Sequence, residues 1–149
     1  MSKCICSLGV VALVAAVFAG GASAETVQEH RTKTMEMIVE NFKPMVAVAK
    51  GKAAYTPALV GNAEAIVRLS KGILSLFPEG SGGEKSRAKP EIWGDWANFE
   101  KAALAFQAAV PGLVPAAKSG DVVRIGAAVG AVGKTCGGCH KPYRKPKKK

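Results

Sequence analysis

Apolar residues recur at spacings of three and four along most of the chain, and this periodicity limits the possible folds more than any other feature. A spacing of three and four places side chains on one face of an α-helix. The first such stretch runs from about Thr26 to Lys50, where Gly51 is expected to end the helix. Pro44 lies inside this stretch and should kink the helix or loosen one turn. The apolar stripe includes Val27, Met35, Ile38, Phe42, Met45, Val46 and Ala49.

Three further segments follow the same pattern. The second runs from about residue 57 to residue 77, and the third opens at Pro90 with Trp93, Trp96 and Phe99 on its predicted buried face. The fourth begins after Gly120, with Asp121 as its expected N-cap. Residues 79–89 are rich in glycine and serine and predict a flexible connection.

Four amphipathic helices joined by short links predict an all-α fold, an antiparallel up-down-up-down four-helix bundle. In that topology the first and fourth helices run in opposite directions. We therefore expect the beginning of the first helix to lie beside the end of the fourth.

The first 24 residues have the pattern of an export signal. A weakly positive start at Lys3 precedes an apolar stretch of about a dozen residues, and Ala22-Ser23-Ala24 is a small-residue cleavage pattern. The apolar stretch is shorter than the roughly 20 residues that span a bilayer, which argues against a membrane anchor. The prediction is a periplasmic protein that consists of one domain, residues 25–149, after cleavage near Ala24.

Cys136-Gly137-Gly138-Cys139-His140 is the most informative motif in the chain. The spacing C-x-x-C-H is the attachment signature of c-type haem. In this chemistry both thiols form thioethers with the porphyrin, and the adjacent histidine binds the iron. Cys4 and Cys6 lie in the export signal, so this motif accounts for the two cysteines that remain. We predict one covalent haem c, with Cys136 and Cys139 as its tethers and His140 as iron ligand.

Other interpretations of the motif fit less well. A redox-active C-x-x-C pair normally follows a strand, and no strand is predicted here. A structural zinc site needs four ligands, and outside the motif the chain beyond residue 24 offers only His30. A helical interaction module without haem is the remaining alternative, in which the motif is a chance match.

Met35 is the candidate for the sixth iron position. It is early in the first helix and on the apolar stripe, so antiparallel packing would place it opposite His140. Its thioether is a soft ligand that suits haem iron. Met37 is rotated roughly 200° away from it, and Met45 is about 15 Å further along the helix axis. Simple core packing is the competing role for Met35.

The chain carries a formal net charge of +10, with six basic residues among positions 141–149. Such a basic tail is usually solvated, and it also attracts acidic redox partners or an anionic membrane surface. We therefore expect acidic redox partner proteins, with peripheral membrane contact as an alternative. Nucleic acid is not expected as a partner, because the protein is predicted to be exported.

The whole chain beyond residue 24 resembles the class II cytochromes c, the family of cytochrome c-prime and of low-spin relatives such as cytochrome c-556. The resemblance depends on a set of residues in the right order: Arg31 with Met35, Lys50-Gly51, Pro90-Glu91-Ile92-Trp93, Gly133, the C-x-x-C-H motif and Tyr143-Arg144. It implies a four-helix bundle with haem near the C-terminus, and family members often form homodimers.

Two functions follow from the resemblance. In the low-spin branch a methionine at the position of Met35 binds iron, which implies a one-electron carrier and not an enzyme. In the high-spin branch a bulky residue there leaves the iron five-coordinate, and NO or CO binds. Met35 favours the first. Arg31, one turn before Met35, and Arg144, just past His140, are candidates to hold the haem propionates, since guanidinium groups pair with carboxylates.

Overall fold

The computed structural model describes residues 25–84 and 86–147, and these form six α-helices with two short 3-10 turns. The predicted export signal, residues 1–24, and the last two residues of the basic tail lie outside the described residues. Within the described part, none of the helices combines the length and the apolar character that crossing a membrane requires.

Helix α1 (Val27–Ala49) has nearly the predicted bounds. The Thr26 hydroxyl accepts a hydrogen bond from the Glu29 backbone N–H at 3.2 Å, and the Glu29 carboxylate accepts one from the Thr26 N–H at 2.8 Å. This capping box satisfies donors that the first helical turn leaves unpaired. Pro44 lies inside α1 without ending it. The helix ends before Gly51, which has a positive φ of 65°.

Helix α2 (Ala58–Ser70) is shorter than the predicted segment. Beyond it the chain enters a 3-10 turn, Leu74–Leu76. The Ser70 hydroxyl donates to the Val67 carbonyl at 2.8 Å, and such side-chain bonds compete with the helical pattern near a helix end. The later apolar residues Ile73 and Phe77 are nevertheless buried. The apolar positions of the segment therefore reach the core beyond the point where the helix ends.

The third predicted segment is divided into three helices: α3 (Glu91–Gly94), α4 (Trp96–Ala109) and α5 (Leu113–Ser119). Asp95 interrupts the first two with a non-helical backbone (φ −137°, ψ 58°), and a 3-10 turn at Val110–Gly112 precedes the third. Because the break at Asp95 changes the helical register, Trp96 is 36% exposed. The prediction that Trp96 is buried was wrong.

Helix α6 (Val122–Tyr143) begins where the sequence predicts and includes the whole Cys136–His140 motif. The Asp121 side chain accepts from the Val123 N–H at 2.8 Å and from the Arg124 N–H at 3.3 Å. Asp121 is thus the N-cap, as predicted.

The four longest helices form an antiparallel four-helix bundle, which confirms the predicted fold class. Helix α1 packs against α2 and α6, α4 packs against α6, and α5 closes the end of the bundle against α2 and α6. Residues from the beginning of α1 and from the end of α6 line the same cavity, which shows that these two segments lie side by side. The largest fully buried side chains are Met45, Ile66, Ile92, Phe99, Val110, Leu113, Ile125 and Val132.

Replacing Phe99 with alanine should lower the free energy of unfolding by about 3–5 kcal/mol, the range for truncation of a buried phenylalanine. The Phe99 ring is 1% exposed and meets Phe77 and Tyr143 edge-on, at centroid distances of 4.8 and 5.3 Å. Urea denaturation of the holoprotein measures the loss. Leu104→Ala on the same helix, where Leu104 is 49% exposed, is the control and should change stability by about 0.5 kcal/mol or less. Equal losses in both variants would refute this description of the core.

Candidate functional site

The C-x-x-C-H motif forms the penultimate turns of α6. At 100° per residue, Cys136, Cys139 and His140 fall within about 100° of one another around the helix axis. All three side chains are half-buried, and neither thiol is engaged in a disulfide. The helical backbone therefore presents two thiols and one imidazole toward the same side, which is the arrangement that covalent haem attachment requires.

A cavity of about 580 Å³ lies between the beginning of α1 and the end of α6. This volume is within the 300–1,000 Å³ range of cofactor and ligand sites. Its α6 wall includes Cys139, His140, Tyr143 and Arg144, and Cys136 packs against the core one turn earlier. Its apolar lining elsewhere includes Met35, Val39, Ile73, Phe77, Ile92 and Phe99.

Met35 lies on the α1 wall of this cavity and is half-buried. The other methionines of α1 do not share this position, since Met37 is 42% exposed and Met45 is fully buried in the core. The side chain of His30 is 57% exposed and lies 3.3 Å from Glu25. Met35 thus faces the space in front of His140, whereas its binding to iron stays a prediction.

Arg31 is buried on the same wall and is held by neutral acceptors. Its Nε donates to the Leu76 carbonyl at 2.8 Å, Nη1 donates to the Ser86 hydroxyl at 3.1 Å, and Nη2 donates to the Ser81 carbonyl at 3.2 Å and to the Ser81 hydroxyl. The guanidinium also lies 4.3 Å from the centroid of the Phe77 ring. All three nitrogens have protein partners, and a contact between Arg31 and a haem propionate stays a prediction.

The electrostatic surroundings favour a neutral imidazole at His140. Burial lowers the pKa of His140, and the positive charges of Arg144 and Arg87 lower it further. The neutral ring is the form that binds a metal ion. Burial raises the pKa of the Cys136 and Cys139 thiols. The same arginines make the cavity mouth positive beside His140, where a propionate carboxylate would find an opposite charge.

Sequence reasoning missed the residues that fix the 79–89 connection beside the cavity. Arg87 donates from Nε and Nη2 to the Lys145 carbonyl at 3.0 and 2.8 Å, and Gln28 donates to the Gly82 carbonyl at 2.5 Å. Trp93 donates from Nε1 to the Pro78 carbonyl at 2.9 Å. No local sequence pattern predicts these hydrogen bonds, because each one joins residues at least 15 positions apart. The prediction of a flexible connection does not match this bonded loop.

The donor set and the cavity fit a covalent haem. Two thiols and an imidazole share one side of α6, the facing lining is largely apolar, and cations stand at the mouth. A porphyrin needs an apolar slot for its ring and positive charge near its carboxylates, and these residues provide both.

Comparison with known proteins gives a consistent result. The family model described as Cytochrome C' matches residues 26–144. Cytochrome c' from Alcaligenes xylosoxydans xylosoxydans is 37% identical over 127 residues, which cover 85% of this chain and 98% of that protein. Cytochrome c-556 from Rhodopseudomonas palustris is 32% identical over 121 residues, covering 75% and 80%.

Solved structures agree in fold. The crystal structure of cytochrome c' from Rubrivivax gelatinosus superposes with a TM-score of 0.75 at 37% identity, covering 80% of this chain and 94% of that one. A nitric oxide complex of a point mutant of cytochrome c prime from Alcaligenes xylosoxidans superposes with a TM-score of 0.73 at 36% identity, with the same coverage.

Proposed function

Because the chain belongs to the cytochrome c′ family, whose members carry one covalent haem c, we propose that it binds small diatomic gases such as NO or CO at the face opposite His140. The haem, when bound, supplies an iron that changes oxidation state and that accepts a further ligand. In this proposal Cys136 and Cys139 would hold the haem through thioether bonds, and His140 would bind its iron. The predicted export signal and these relatives support a periplasmic location.

The observation that carries this proposal is the apolar wall opposite His140. Met35, Val39 and Phe77 are among the cavity's apolar lining residues, although α1 also contributes the charged side chains of Glu36, Glu40 and Lys43 to the lining. Apolar side chains in the cavity that contains His140 suit the binding of uncharged diatomic molecules. Met35 lines the cavity and is half-buried, so its side chain would limit the approach of a gas. A relative solved as a nitric oxide complex adds support.

A second candidate is the one-electron carrier expected from the sequence. It is favoured by the thioether of Met35 in the cavity that also contains His140. Permanent binding of that sulfur to iron would close the sixth position and raise the reduction potential. A relative named cytochrome c-556 is compatible with it. Most relatives are named cytochrome c', and several solved neighbours are nitric oxide complexes, so the comparisons favour gas binding.

Visible spectroscopy of the reduced holoprotein distinguishes the two functions. We expect a high-spin spectrum that changes when CO is added, because in this proposal no side chain binds the iron on the side opposite His140. A low-spin spectrum that CO leaves unchanged would contradict gas binding and support the electron carrier.

A further inference from the structure

Residues 86–89, here called the strap, connect the two walls of the cavity. On the α1 side, the Ser86 hydroxyl accepts a hydrogen bond from Arg31 Nη1 at 3.1 Å. The same hydroxyl accepts from the Ala88 N–H, also at 3.1 Å, which fixes the strap's own backbone. Ser86 is 8% exposed, so water does not readily replace these two donors. The strap is therefore anchored to α1 one turn before Met35.

The strap is also bonded to the chain that directly follows His140. Ala88 and Arg144 form an isolated antiparallel bridge. Within it, the Lys89 N–H donates to the Tyr143 carbonyl at 3.0 Å, and the Lys145 N–H donates to the Arg87 carbonyl at 2.7 Å. The Arg87 guanidinium adds two bonds to the Lys145 carbonyl. Lys145 Nζ also donates to the Ser86 carbonyl at 3.3 Å. Five hydrogen bonds thus join the strap to residues 143–145.

The hydrogen bond between Arg31 and Ser86 is costly to break because both residues are buried. Arg31 is 7% exposed, and within the described residues its recorded partners are carbonyls, hydroxyls and the Phe77 ring, with no carboxylate among them. A buried charge needs all its hydrogen-bond partners, because an unpaired donor bears its full desolvation cost. Loss of the Ser86 acceptor would leave one Nη1 donor unpaired, and Arg31 would have to move to recover a partner.

We infer that the strap sets the separation between α1 and the end of α6, and that Ser86 is the positioning residue through which it holds Met35 relative to His140. This inference rests on the proposed function of the cavity. Ser86 lines the cavity, but the recorded partners of its hydroxyl are Arg31 and the Ala88 N–H, not Met35 or His140. Its action therefore passes through Arg31 on one side and residues 143–145 on the other.

The test is the rate constant for CO association with the reduced, haem-containing Ser86→Ala variant, compared with that of the wild type. We expect the rate constant to rise about threefold, because a Met35 side chain released from its position obstructs the gas less. Ser86→Thr, which keeps a hydroxyl, should restore the wild-type rate. Introducing Ser86→Ala into Met35→Ala should give no further increase, because the strap acts through Met35.

Tyr55→Phe is the matched control. The Tyr55 hydroxyl donates to the Ala117 carbonyl at 2.9 Å near α5, so this variant also loses one hydrogen bond between segments, away from the cavity. It should leave CO association at the wild-type rate. If Ser86→Ala and Tyr55→Phe both bind CO at the wild-type rate, the inference is wrong.

The CO spectrum of the wild-type protein tests the proposed function independently of the strap variants. If CO leaves the wild-type spectrum unchanged, the same variants are compared by reduction potential, which the placement of an axial methionine also sets. A shifted potential in Ser86→Ala, but not in Tyr55→Phe, would then support the strap, and an unshifted one would overturn it.

Discussion

Replacing both Cys136 and Cys139 with alanine is expected to abolish covalent haem attachment completely. Each thiol would form one thioether, and α6 places both on the side that adjoins the cavity. Without them, haem can be held only by His140 and by apolar contact, and both are broken by acid. Expression with the haem-attachment machinery, followed by acid-acetone extraction, should give red wild-type polypeptide and colourless variant polypeptide.

Gly138→Ala is the control for the cysteine variant. A Cβ atom added at Gly138 meets no atom within 4 Å, and Gly138 is exposed, so the substitution changes the motif without crowding it. It should retain covalent haem. Retention of acid-resistant haem by the double cysteine variant would mean that another residue makes the bond.

The second large effect is expected from Met35→Ala. Removing this side chain from the α1 wall should raise the CO association rate of the reduced protein by roughly tenfold, which corresponds to about 1.4 kcal/mol of activation free energy. The Met35 side chain lines the cavity that also contains His140, so its removal should give CO easier access to the iron. Flash photolysis or stopped-flow mixing with CO measures the rate.

Met35→Leu shows whether bulk or sulfur matters. Leucine has a similar volume but no ligating atom, so a steric role predicts a rate near that of the wild type. If both substitutions instead convert a low-spin, CO-resistant protein into one that binds CO, Met35 is an iron ligand and the electron-carrier function is correct. An unaltered CO rate in Met35→Ala would contradict both roles.

Local sequence signals predicted most of the fold. The bounds of α1 and α6 follow from Thr26, Gly51 and Asp121, because capping residues satisfy backbone groups within a few positions of themselves. The early end of α2 and the break at Asp95 were not predicted. The first coincides with the Ser70 hydroxyl bond to the Val67 carbonyl and the second with the non-helical backbone of Asp95, and apolar periodicity carries no signal for either.

The candidate site was predicted in part. The motif and the antiparallel topology together place Met35 and His140 at one cavity. The loop before α3 was missed, since serine and glycine are typical of flexible connections. Its order comes from Arg31 and Arg87, whose partners are distant in the sequence. Acidic partners for the basic tail stay a prediction.

Mass spectrometry of the purified protein, matured with the haem-attachment machinery, tests the central claim most directly. We predict an intact mass equal to the mature polypeptide plus one haem, with the added mass on the peptide that contains both Cys136 and Cys139. A polypeptide of unmodified mass with two free thiols and no iron would contradict the account.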